Sequence, residues 1–187
     1  MRSGVPAEAC AYVSVDFRRD PMPVELTDPR LRLLCLVERT VDEIVHGSVL
    51  GNADLIATLR VWLDEKKNPQ HLEEVISELL GRDFHVFITS DHGHTEAIGI
   101  GQPNEGLLAQ TRGRRVRIYS DRNIANQTQL AFQPSLLWEN DGLLPNDFFA
   151  VLPGGRGAFV PWNQPVLTHG GVSIDEVIVP FIEITHG

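Results

Sequence analysis

Two short apolar runs flanking a pair of helical patterns constrain this chain more than any other feature. Leu31 to Glu38 (LRLLCLVE) and Phe84 to Ser90 (FHVFITS) have the length of β-strands, and their near-continuous apolar character suits strands buried on both faces of a parallel sheet. Between them, Leu55, Ile56, Leu59, Trp62 and Leu63 recur at spacings of three and four from a start at Gly51-Asn52-Ala53-Asp54. Leu72, Val75, Ile76, Leu79 and Leu80 repeat the pattern, with Asn68-Pro69 as its cap and Gly81 as its stop. The order strand, helix, helix, strand predicts an α/β fold with parallel pairing. Ala9 to Phe17 reads as an earlier strand, ended by Arg19-Asp20-Pro21-Met22-Pro23.

Later elements are less regular. Arg115 to Ser120 (RVRIYS) alternates, with Val116 and Ile118 on one face and Arg115, Arg117 and Tyr119 on the other. Asp147 to Leu152 and Val177 to Ile184 are further strand candidates, and Pro180 confines the last to an edge or a bulge. Trp62 is assigned to the core, and Trp138 and Trp162 to loops.

Composition excludes several classes. With 42% apolar and 22% charged residues in 187, the chain is neither disordered nor too small for a core of its own. No run approaches the ~20 apolar residues of a membrane span, and Met1 to Glu8 lacks a secretory apolar segment, so a cytoplasmic location is expected. Cys10 and Cys35 both lie in apolar runs and are expected as buried thiols, with one structural disulfide as the lesser alternative. A formal charge of −9 argues against coating nucleic acid with the whole surface.

Three segments carry the chemistry. Asp42 and His46 are four apart after the second strand, so one helical turn points both the same way, as a chelating pair or as exposed surface groups. Asp91, His92 and His94 in TSDHGHT follow the apolar strand at the place where α/β folds gather ligands, and Gly93 lets that backbone fold tightly, as a metal-binding loop or as a turn capped by Asp91 with solvated histidines. His169 sits in THGG ahead of the last strand. Carboxylates and imidazoles suit divalent ions, and paired ions ~3.5–4 Å apart can clamp both oxygens of a phosphoryl displacement. Arg112, Arg114, Arg115 and Arg117 are candidates for phosphate or nucleic-acid contacts, or else charges on a solvated strand edge.

In this order, D-x3-H, DHGH and THGG ahead of SIDEVIVPF resemble the alkaline phosphatase superfamily, and within it the PglZ family. ITSDHGHTEA, RGRRVRIYSD, FFAVLPG and THGGVSIDEVIVPF carry the likeness, from about Leu31 to the C-terminus. The resemblance implies a mostly parallel sheet with flanking helices and a metal-dependent hydrolase of phosphate esters using zinc or manganese, one or two ions. By motif position, Asp42, His46 and His169 correspond to ligands of one metal and Asp91 and His92 to ligands of the second. His94 matches a position that orients a ligating carboxylate. The family's association implies a role in bacterial phage defence of the BREX type, with other defence proteins as partners. The superfamily's serine or threonine nucleophile, at a helix start after a first-strand acid, has no counterpart here. Asp16 resembles the acid, but Ser3, Ser14 and Thr27 lack the strand-to-helix context. Residues 1–187 are therefore expected to be one partial, C-terminal portion of such a domain, with 1–30 unassigned and activity weak or absent. The alternative is a non-catalytic interaction module for assembling a defence complex.

Overall fold

The structure is a computed structural model that describes residues 4–47, 52–64, 71–104, 109–138, 142 and 145–185. The predicted cap at Asn68-Pro69 and the start at Gly51 lie outside them. In chain order the main elements are β1 (Cys10–Val15), β2 (Leu33–Glu38), α1 (Thr40–Gly47), α2 (Asn52–Trp62), α3 (His71–Gly81), β3 (Val86–Thr89), β4 (Thr95–Gly99), β5 (Ala109–Arg112) and β6 (Arg117–Tyr119). There follow α4 (Arg122–Ala131), β7 (Ser135–Trp138), β8 (Phe149–Pro153), β9 (Gly157–Ala158), β10 (Pro165–Thr168), α5 (Ile174–Val177) and β11 (Phe181–Ile184). The chain divides into two compact units, the first built from Met1–Gly47, Ala53–Thr89 and Pro180–Gly187, the second chiefly from Ser90–Val179.

The first unit holds two small sheets. β1 and β2 pair in parallel, with Tyr12 opposite Cys35, and β3 pairs antiparallel with β11, with Thr89 opposite Phe181. Its core gathers Val15, Phe17 and Leu26 with Val75 and Leu79, which are one turn apart on α3. Arg82, just past α3, donates to the Leu26 carbonyl and, at 2.6 Å, to the Asp28 carbonyl. The second unit holds β10-β4-β9 and β5-β6-β8-β7. Tyr119, Ala125, Val151 and Phe159 form its larger core, and the Tyr119 hydroxyl accepts a 3.0 Å hydrogen bond from Thr128. In α4, Asp121 caps the helix by accepting from the Asn123 amide at 2.7 Å.

Several expectations are corrected. The class is α/β, but the sheets are small and mixed or antiparallel rather than mostly parallel. β3, expected to pair in parallel, takes β11 as its antiparallel partner. β2 is not buried on both faces: exposed and half-buried residues alternate along it, and Leu33 and Val37 are exposed. Cys10 is half-buried and Cys35 exposed, and neither forms a disulfide. The candidate strand over Val177 to Ile184 splits into the end of α5 and, beyond Pro180, β11, because proline cannot donate to a ladder. Trp138 closes β7 rather than lying in a loop. Trp62 is only half-buried, and Ile56 and Leu63 of the first helical pattern are exposed.

Candidate metal centre

Strand register is what assembles the candidate site. In the β10–β4 pair Thr168 stands opposite Thr95, so His169, one residue past β10, and His94, one residue before β4, emerge at the same end of the ladder. His92 lies two residues earlier in the same approach. The result is a three-histidine cluster in which one ring nitrogen from each of His92, His94 and His169 lies within 4.8 Å of the others. The His92 and His169 rings stack with centroids 3.7 Å apart and planes 8° from parallel. His94 meets both edge-on, at 5.1 Å from His92 and 5.3 Å from His169.

The donor set fits a divalent ion. Zinc–nitrogen bonds of about 2.0–2.1 Å set tetrahedral nitrogens roughly 3.4 Å apart, a spacing that rings already gathered this closely can reach. His92 is already oriented: its Nδ1 lies 3.1 Å from the Gly93 carbonyl oxygen, which can only accept. Nδ1 therefore carries the proton and Nε2 the lone pair, the outer-shell arrangement by which proteins fix a ligating imidazole. That Nε2 lies 3.7 Å from Asp91 Oδ1, and the Asp91 side chain is almost fully exposed. Asp91 and His92 thus present an oxygen and a nitrogen side by side, with the His94 ring standing farther from His92 and His169 than those two stand from each other.

Asp42 and His46 belong to the first unit. Both lie on α1, one turn apart, with Asp42 exposed and the His46 side chain outside the described residues. Asp16 follows β1 and is only 2% exposed. Its carboxylate accepts from Arg18 Nε and Nη2, both at 3.0 Å, and from the Thr40 hydroxyl, also at 3.0 Å. The Arg18 hydrogen bonds hold it well below the usual carboxylate range against the opposing effect of burial. Thr40 opens α1, a position the sequence reading passed over, but it is fully buried and its hydroxyl is committed to Asp16.

The arginine segment divides. Arg114 is exposed, and the Arg112 side chain lies outside the described residues. Arg117 is buried, donates to the Gly113 carbonyl and, at 3.3 Å, to the Phe159 carbonyl, and lies over the Phe159 ring at 5.2 Å. Arg115 is 1% exposed and pairs with Glu176, itself 2% exposed, through Nε at 3.0 Å and Nη2 at 2.7 Å, while Nη1 donates to the Gly157 carbonyl. The arginine-bearing face of RVRIYS is thus the one turned inward, because each buried guanidinium finds acceptors there.

Sequence reasoning missed Glu176, although Ser173-x-x-Glu176 is a capping-box signature that marks the start of α5. Besides Arg115, Glu176 accepts from the Gly171 amide at 2.8 Å, the Ser173 amide at 3.2 Å and the Ser173 hydroxyl at 2.6 Å. Burial alone would raise its carboxyl. The hydrogen bonds from Arg115, Ser173 and Gly171 outweigh that and bring it from 4.5 down to about 2. A carboxyl lowered on folding contributes its stability fully above the unfolded value and loses it as pH falls through the folded one. The melting temperature is therefore expected to fall between pH about 4.5 and about 2. In Glu176→Gln it should start lower and vary less over that window, as thermal unfolding across the range would read.

Among the described residues, no helix is long and apolar enough to cross a membrane. No curated protein matches the sequence. The model of the BREX system PglZ alkaline phosphatase-like domain matches residues 15–184, which include all three histidines of the cluster. With most of its length matched, the chain belongs to the PglZ family of alkaline phosphatase-like domains.

Proposed function

We propose that this chain is a divalent-metal-binding domain of the phosphoryl-ester hydrolase type, working with other proteins of a BREX phage-defence system. The convergence of His92, His94 and His169 at one end of the β10–β4 ladder is the observation that carries the reading. His92, through its Nε2, and Asp91, through its exposed carboxylate, are assigned to one ion. His169 is assigned to a second ion, and His94 supports the cluster from its edge-on position, while Asp42 and His46 are ligand candidates of the first unit on their motif position alone. Zinc or manganese suits imidazole and carboxylate donors. Such an ion supplies a Lewis acid that polarises a phosphoryl oxygen and acidifies water. The chain's own part is to hold the three imidazoles together, with the Gly93 carbonyl setting the His92 tautomer, and to leave Asp91 open to solvent. Arg114, exposed on the same unit, is the arginine of its segment assigned to phosphate groups of a substrate, nucleic acid included.

Turnover by this chain alone is expected to be weak. Ser14 lies inside β1, Thr27 donates its hydroxyl to the Val24 carbonyl at 2.7 Å, and Thr40 is committed to Asp16, so none of the three stands ready as a nucleophile. The test is metal retention by the purified chain together with hydrolysis of an aryl phosphate in added zinc or manganese. Retention with slow, metal-dependent hydrolysis, both lost in His169→Ala, is the expected result. A metal-free, inert protein that still binds other defence proteins would replace this reading with that of an assembly module.

A further inference from the structure

We infer that Glu176 is the positioning residue of the histidine cluster, a single clip that holds both histidine-bearing loops in register. The inference rests on the reading of the cluster as a metal centre only for its second readout. Glu176 grips the two loops through different atoms. Its carboxylate accepts from the amide of Gly171, two residues past His169. Its main-chain carbonyl accepts at 2.8 Å from the amide of Gly93, which lies between His92 and His94. The loop after β10 and the loop before β4 are thus tied to one residue of α5, beyond the point where the ladder between Thr95 and Thr168 ends.

Two further features make the clip stiff. The carboxylate is fixed from behind by the paired Nε and Nη2 of Arg115, a bidentate geometry that sets its orientation as well as its charge. The loops also approach α5 so closely that a side chain at either grip forces a shift, against backbone at Gly93 and against the ion pair at Gly171. A Cβ on Gly171 would stand 2.7 Å from both Arg115 Nη2 and Glu176 Oε2, and a Cβ on Gly93 would overlap the Asp175 carbonyl oxygen. The stacked pair follows from where the two loops are held.

The experiment compares the histidine ring resonances of the metal-free wild type with those of Glu176→Gln, and then titrates each protein with cobalt. Val151→Ala, a cavity in the Tyr119 core, is the control that lowers stability without touching either loop. Expected are shifted ring signals for His92 and His169 in Glu176→Gln, as the stack opens, with cobalt affinity at least ten-fold weaker and an altered cobalt spectrum. Val151→Ala should keep wild-type ring signals and cobalt spectrum while melting earlier. Should Glu176→Gln fail to fold, Gly171→Ala is read instead, since it keeps both residues of the ion pair while its new Cβ, 2.7 Å from Arg115 Nη2 and Glu176 Oε2, pushes the His169 loop and the clip apart. Ring signals unchanged in the folded variant would overturn the positioning role. Ring signals that shift as expected while no protein, wild type included, binds cobalt would uphold the clip and overturn the metal centre.

Discussion

Replacing Arg115 by methionine is expected to destabilise the second unit by about 3–5 kcal/mol, the usual cost of removing one partner from a buried ion pair. Arg115 is 1% exposed and Glu176 2%, so the substitution strands a carboxylate away from water with only the Gly171 and Ser173 donors left. The Gly157 carbonyl loses its guanidinium donor as well. Methionine fills a comparable volume, so the loss reports charge and hydrogen bonding rather than a cavity. Denaturant unfolding measures it. A second substitution, Glu176→Leu in the Arg115→Met background, should restore part of the loss, since apolar pairs often replace buried ion pairs at little cost. It cannot restore all, because the amides of Gly171 and Ser173 then lose their acceptor. A loss below about 1 kcal/mol for Arg115→Met, as for a surface ion pair, would contradict the burial described for it.

Gly93→Ala is expected to cost at least the ~1–3 kcal/mol typical of overpacking, because the obstacle is backbone and cannot rotate away. The new Cβ would overlap the Asp175 carbonyl oxygen and lie 3.1 Å from its carbon, while the Glu176 α-carbon stands 3.5 Å off. Relief requires moving the loop that carries His92 and His94, which breaks the 2.8 Å hydrogen bond from the Gly93 amide to the Glu176 carbonyl. Two measurements follow: the unfolding midpoint should drop, and the amide of residue 93 should lose its hydrogen-exchange protection. An alanine variant with wild-type stability and a protected amide would show that α5 and this loop are not in the close contact described.

What could be read from the chain was local, and what escaped it was pairing. The runs LRLLCLVE and FHVFITS announce strands because apolar and β-branched residues cluster there, and β2 and β3 lie within them. The two helical patterns gave α2 and α3 through their spacing, and the structure turns Val75 and Leu79 of the second inward. The direction of pairing does not reside in any such run. β3 is antiparallel because its partner is β11, far along the chain, and no residue of FHVFITS records that choice. The arginines of RVRIYS show a second limit. Alternation separates two faces, but which one turns inward depends on acceptors supplied from elsewhere, here Glu176, Gly157 and Phe159. At the candidate site, His92, His94 and His169 were legible as motif residues next to strands. Their meeting depends on Thr168 standing opposite Thr95, a register set by the β10–β4 ladder. Glu176 was legible only as a helix start in SIDE, and its hold on both loops needed the folded chain.

The most direct measurement is the metal content of the chain purified after growth with zinc or manganese and dialysed against metal-free buffer. One or two tightly held divalent ions per wild-type chain are predicted, with loss of that metal in His92→Ala and in His169→Ala while both variants keep a cooperative unfolding transition. Wild-type protein that emerges free of metal, or histidine variants that retain it in full, would contradict the assignment of this cluster as a metal centre.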